Sequence, residues 1–111
     1  MATNKVLINS IQNTVGGAIQ NFYQSPPSGN GTLISAFTAT NNTGANRTYR
    51  AYIYDSTGSL LEAVIPLKIV VRNRFDLGSA IVNHLIPSGG SLRIESDLED
   101  SIVFRVSGKE L

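Results

Sequence analysis

His84 is the only histidine among the 111 residues, and there is no cysteine. That imidazole is therefore the one side chain whose ordinary pKa suits proton shuttling near neutrality. A general base needs an orienting partner, and Asp55 or Asp76 would have to approach it in space. The residue sits in Ile81-Val82-Asn83-His84-Leu85-Ile86, which reads as a strand, so it is read as a packed or surface strand histidine. Twelve serines are present, but none lies in a Gly-x-Ser-x-Gly elbow, the turn that exposes a nucleophile. Glu95, Asp97, Glu99 and Asp100 supply oxygen ligands at close spacing. They lack the glycine and the spacing of a calcium loop and read as a solvated turn facing Arg93 or Arg105. No catalytic residue, metal ligand or cofactor is assigned, and the chain is expected not to be an enzyme.

The residues suited to contact are more numerous. Six of the nine basic side chains are arginine (Arg47, Arg50, Arg72, Arg74, Arg93 and Arg105). A guanidinium forms forked hydrogen bonds and holds partner surfaces better than an ammonium. Arg72-Asn73-Arg74-Phe75-Asp76 places two of them beside an aromatic ring, so Arg72, Arg74 and Phe75 are candidates for a protein interface. Tyr52 and Tyr54 share one strand face and are candidates for packing against a subunit. With Tyr49, Phe22 and Tyr23 they offer rings on which a sugar could stack, which keeps a carbohydrate-binding module as an alternative, although the chain has no tryptophan. Three Asn-x-Ser/Thr sequons, at Asn30, Asn41 and Asn46, are what an Asn- and Thr-rich chain produces by chance.

Strands joined by turns must position these groups. Ser, Thr, Asn and Gly make up 40 residues of the chain, and the β-branched Ile, Val and Thr together make up 27, a composition that favours β-sheet and turns. In Asn46 to Tyr54, Tyr49, Ala51 and Ile53 share one face and Arg50, Tyr52 and Tyr54 the other. Asp55-Ser56-Thr57-Gly58 supplies a turn, and Ser59 to Ile65 is the returning arm, with Pro66 expected at an edge or a break. Leu67 to Arg72 is read as the next strand, Asn73 to Gly78 as a loop, and Ser79 to Ile86 as a strand with Ile81 and Leu85 inward. Pro87-Ser88-Gly89-Gly90 is the strongest turn. Beyond it Leu92 and Ile94 alternate with Arg93 and Glu95, and Ser101 to Ser107 points Ile102, Phe104 and Val106 inward.

Gly31 to Asn41 is also a strand, preceded by a flexible loop from Gln24. In Lys5 to Tyr23 two patterns compete. Ile8, Ile11, Val15, Ile19 and Phe22 fit helical spacing, but Gly16-Gly17 and the asparagines oppose a helix. Two short strands with a Gly-Gly bend are the preferred reading. The expected fold is a single all-β domain over residues 1–111: an antiparallel sandwich of about eight strands, jelly-roll-like.

Charge and hydropathy narrow the partners. A net charge of +1 gives no basic stripe for nucleic acid. No run of ~18 apolar residues exists to cross a membrane as a helix. The opening Met-Ala-Thr-Asn-Lys has no long apolar core behind a basic head, so no secretory signal is expected. Without cysteine no disulfide framework exists.

Ile86-Pro87-Ser88-Gly89-Gly90-Ser91-Leu92-Arg93-Ile94, followed by Asp100-Ser101-Ile102-Val103-Phe104-Arg105-Val106-Ser107-Gly108-Lys109-Glu110, resembles small β-sandwich virion proteins of tailed bacteriophages. In those proteins an Ile-Pro-x-Gly-x-x-Leu turn starts a strand and a final strand ends in Ser-Gly-x-Glu. The Asn41-Asn42-Thr43-Gly44 loop and the strand ending Tyr54-Asp55-Ser56-Thr57-Gly58 extend the likeness, which covers about Leu33 to Glu110. The resemblance implies a structural role in the virion, assembled in the bacterial cytoplasm. The first expectation is a capsid decoration (cement) protein that bridges the major capsid protein lattice; the alternative is a neck or tail accessory protein. Its partners would be the major capsid protein or other virion subunits, with a homo-oligomer on the particle. An extended N-terminal arm, Met1 to about Ile11, is expected to grip a neighbour by strand addition through Lys5, Val6, Leu7 and Ile8.

Overall fold

Two-residue alternation of apolar and polar side chains makes one face of each strand suited to a core, and two such sheets must close on each other. The computed structural model describes residues 3–111. It contains nine strands: β1 (Lys5–Gln12), β2 (Gln20–Gln24), β3 (Thr32–Asn41), β4 (Arg47–Tyr54), β5 (Leu60–Val70), β6 (Arg74–Leu77), β7 (Leu85–Ile86), β8 (Ser91–Ser96) and β9 (Ile102–Glu110). The first sheet has the order β1-β9-β3-β6, with β7 also paired to β3; the second has the order β2-β8-β4-β5. Every pairing is antiparallel.

Apart from the β4–β5 hairpin and the β6–β7 pair on β3, each strand is followed by one in the other sheet. That order is the jelly roll. It puts β1 and β2 at one side of the sandwich and β5 and β6 at the other. Among the described residues no helix is long and apolar enough to cross a membrane.

The core forms where the inward rows meet. Ile34, Phe37 and Ala39 of β3 and Ile102, Phe104 and Val106 of β9 pack on Tyr49, Ala51 and Ile53 of β4 and Leu92 and Ile94 of β8. Phe104 meets Phe22 and Tyr49 edge-on, with ring centroids 5.6 and 5.3 Å apart. These inward rows on β4, β8 and β9 are those the alternation predicts. So are the turns at Asp55–Gly58 and Pro87–Gly90 and the bend at Gly16-Gly17.

Gly17 takes φ = 73°, and a Cβ on Gly16 would meet the Asp97 carbonyl oxygen and Leu98 Cα at 3.0 Å. The bend therefore nests against the loop after β8, and two strands form instead of a helix.

Several expectations are corrected. No extended arm is evident: Lys5–Gln12 is a paired strand whose Ile8 lies in the core, while Met1 and Ala2 fall outside the described residues. β5 continues through Pro66 to Val70. Ala51 lies opposite Ile65 and Tyr49 opposite Lys68, so Pro66 occupies a bulge on an edge strand, where a missing N–H costs no ladder bond.

Within the run read as Leu67 to Arg72, Val70 is buried while Ile69 and Val71 are exposed. Residues 74–77, read as loop, pair with Thr38–Asn41 as β6. The strand read over Ser79 to Ile86 shrinks to Leu85–Ile86. A turn containing Asn83 at φ = 71° shifts the alternation by one, so Ile81 and Ile86 are buried and Leu85 faces out.

Candidate functional site: an apolar side of the sandwich

Edge strands of soluble proteins are usually protected by charge, and β5 has little of it. In Leu60-Leu61-Glu62-Ala63-Val64-Ile65-Pro66-Leu67-Lys68-Ile69-Val70 every residue but Glu62 and Lys68 is apolar. Only Ile65 and Val70 are buried in the core, with Val64 packed against it. The register breaks three times against β4, between Tyr49 and Ala51, Ala51 and Ile53, and Ile53 and Tyr54, so extra residues of β5 are pushed out of the two-residue rhythm. Leu60, Leu61, Leu67 and Ile69 are left more than half exposed. On β6, Phe75 and Leu77 project from the opposite rim of the same side and are 64% and 62% exposed. Val71, in the turn between the two strands, is exposed as well.

Polar bonds hold these two strands in place. Tyr49 reaches across the sandwich from β4 and donates its hydroxyl to Asp76 Oδ2 on β6 at 2.8 Å. Lys68 Nζ of β5 lies 3.7 Å from Asp76 Oδ1. Burial, and after it the Asp76 hydrogen bond, push the Tyr49 hydroxyl far above the ordinary tyrosine pKa. A cavity of about 60 Å³ lies between them, lined by Tyr49, Ile65, Lys68 and Asp76. The end of β5 is fixed by Asn41, whose Nδ2 donates to the Val70 carbonyl at 2.9 Å, and the following turn by Asn46, whose Oδ1 accepts from the Arg72 N–H at 3.1 Å.

The other predicted contact residues are dispersed. Arg72, Arg74 and Phe75 belong to this apolar side, with Arg72 in its turn and the other two on β6. Tyr52 and Tyr54 lie on the outer face of the second sheet, their ring centroids 6.4 Å apart. The Arg93 guanidinium sits 4.2 Å from the Tyr54 ring centroid, and the Tyr52 hydroxyl donates to Glu95 at 3.2 Å. Burial, followed by the Glu95 charge, raises the Tyr52 pKa. An open groove of about 340 Å³ beside them is lined by Thr48, Arg50, Leu67, Glu95 and Asp97. Its charges are already matched, since Arg50 pairs with Glu95 at 3.4 Å and Arg47 with Asp97 at 3.5 Å.

Lys5, Val6, Leu7 and Ile8 lie at the opposite side on β1. Lys5 is engaged within the chain, its Nζ 2.6 Å from Glu110 Oε1. Leu7 packs on the core, Ile8 is fully buried, and Val6 alone of the four is an exposed apolar side chain. His84 is partly buried, and its backbone carbonyl accepts from the Ile34 N–H at 3.0 Å. Among the described residues no three His, Cys, Asp or Glu side chains converge as a metal site.

One end of the apolar side, Arg72 to Phe75, is legible in the sequence, and its length along β5 is not. Leu60, Leu61, Leu67 and Ile69 look like ordinary core residues of a hairpin until the bulges are known. The available signal was composition, since a strand apolar at nearly every position has more side chains than one core face can take. Comparison of the chain with family models, with curated proteins and with solved structures gives no match.

Proposed function

We propose that the protein is a non-enzymatic structural subunit of a tailed-bacteriophage virion, a capsid decoration protein that binds and stabilises the major capsid protein lattice. One observation carries this reading: the side formed by β5 and β6 exposes seven large apolar side chains, from Leu60 to Leu77. Exposed apolar surface of that extent on a small domain marks a contact surface. The jelly-roll order agrees by analogy, since capsid domains recur on this architecture, although lectin domains do so too. In this role the sandwich is a rigid block whose binding energy comes from apolar burial and is multiplied by repetition on a lattice.

Quantitative mass spectrometry of purified particles of the phage that encodes the chain tests it. A copy number on the order of hundreds per particle is expected for a lattice-binding subunit, whereas about six or twelve copies place it at the neck or tail instead. Absence from the particle overturns the virion role.

A further inference from the structure

The apolar side is self-complementary in charge as well as apolar. Glu62 is the acidic residue of β5, lies five positions before Leu67, and makes no ion pair or side-chain hydrogen bond among the described residues. Arg72 lies five positions after Leu67, and its guanidinium likewise has no partner among the described residues. Lys68, next to the midpoint, is half exposed and lies 3.7 Å from Asp76 Oδ1, which balances its charge. A strand with a free negative charge near its start, a free positive charge in the turn just past its end and exposed leucine between them matches an antiparallel copy of itself.

We infer that the protein forms a two-fold dimer through β5, with the axis perpendicular to the sheets and passing near Leu67. This operation lays β5 against β5 of a second copy in the opposite direction. It brings Glu62 of each protomer to Arg72 of the other, as an isologous interface requires. Because the axis runs perpendicular to the sheets, each rim meets its own counterpart. Leu67 and Ile69 pack on the same pair, and Phe75 and Leu77 on theirs. The three register breaks along β5 prevent a continuous backbone ladder, so the contact is made by side chains.

The seven exposed large apolar side chains supply the kind of surface from which a standard interface, ~800 Å² per partner, is built. The dimer occupies the same apolar side that supports the virion reading, and experiment separates the two: self-association in solution tests the dimer, presence in the particle tests the virion role.

Sedimentation velocity on the full chain over a concentration series tests it, with circular dichroism to verify that each variant is folded. The native chain is expected to sediment as a dimer. Glu62→Arg or Arg72→Glu alone sets like charges against each other across the axis and should weaken self-association by roughly tenfold or more. The double variant Glu62→Arg/Arg72→Glu should restore it. Leu67→Lys, which places two charges at the axis, should yield a monomer. A chain that remains monomeric at about 100 μM, assembles as a trimer or larger ring, or dimerises indifferently to all these substitutions overturns the inference. Incorporation into particles by such a chain would still leave the virion role standing.

Discussion

Tyr49 and Asp76 join the two sheets at the side where the apolar residues are exposed: the buried phenol of β4 donates to the carboxylate of edge strand β6 at 2.8 Å. The ring stacks on Phe37 with centroids 5.9 Å apart and meets Phe104 edge-on, so the residue is anchored by packing and only its hydroxyl is devoted to the link. Tyr49→Phe keeps the packing and leaves Asp76 with Lys68 alone, 3.7 Å away. A hydrogen bond to a charged group is worth about 1.5–3 kcal/mol, and urea unfolding of Tyr49→Phe should show a loss in that range. An unchanged midpoint would mean that water replaces the bond without cost.

Asn41 fixes the same region from the end of β3. Its side chain is fully buried and satisfied: Nδ2 donates to the carbonyls of Ala45 at 2.8 Å and Val70 at 2.9 Å, and Oδ1 accepts from the Thr43 N–H at 2.9 Å. Replacement by Asp sets a carboxylate oxygen against two carbonyls and buries a charge, whereas Ala leaves three backbone groups unpaired. Asn41→Ala should cost about 2–4 kcal/mol and Asn41→Asp more at neutral pH. Thermal unfolding at pH 7 and near pH 4 separates the two, since the Asp variant should recover part of its loss as the carboxyl protonates.

The strands with clean alternation were legible because burial there follows the two-residue rhythm. Tyr49, Ala51 and Ile53, or Ile102, Phe104 and Val106, need only the pleat to face inward. What failed was wherever an extra residue entered. The bulge at Pro66 joined two predicted strands into β5, and Asn83 in the left-handed region replaced a predicted strand by a turn. β6 was invisible because four residues, Arg-Phe-Asp-Leu, carry too little pattern, and their pairing with Thr38–Asn41 is tertiary. The sequence pointed to Arg72, Arg74 and Phe75 through residue type alone. It offered no sign that Lys5 is tied to Glu110, a partner 105 positions away.

Gly108 shows how tightly the first sheet is joined at its centre. It lies in β9 between Lys5 of β1 and Ile34 of β3. A Cβ at this position would stand 2.1 Å from the Leu33 carbonyl oxygen and 2.9 Å from Leu7 Cδ1. The first obstacle is backbone and cannot rotate away. Gly108→Ala should therefore destabilise by about 2–4 kcal/mol, at the upper end of point-mutant effects. Gly44→Ala, where nothing lies within 4 Å of the added carbon, is the control expected to change little. Equal unfolding midpoints for the two variants would mean that the β3–β9 bulge relaxes at no cost.

The opposite side of the sandwich carries a polar link that should be visible as pH dependence at both ends of the scale. Glu110 accepts from Lys5 at 2.6 Å and from the Tyr23 hydroxyl, which also lies 3.0 Å from Thr32 Oγ1. Lys5 first, and Tyr23 after it, hold the Glu110 carboxyl below its ordinary pKa. A carboxylate whose pKa is depressed in the folded state binds its proton more weakly there than in the unfolded chain. Its contribution is thus present above about pH 4.5 and is lost as the pH falls through the folded value.

Tyr23 acts in the reverse sense. Burial, and then the Glu110 contact, push its pKa up from 10.0 to about 12, so the folded state retains a proton that the unfolded chain gives up. Its contribution is complete below pH 10 and is lost between there and pH 12. Unfolding midpoints measured from pH 3 to 7 should fall less steeply toward acid in Glu110→Gln than in the native chain. Absorbance titration at alkaline pH should lose a late-titrating phenol in Tyr23→Phe, while Tyr49 still resists ionisation. Because Lys5 is the larger influence on Glu110, Tyr23→Phe should shrink the acid dependence without abolishing it. If Tyr23→Phe abolishes it altogether, the phenol and not the ammonium holds the carboxylate, and β1 is bound to β9 by its backbone ladder alone.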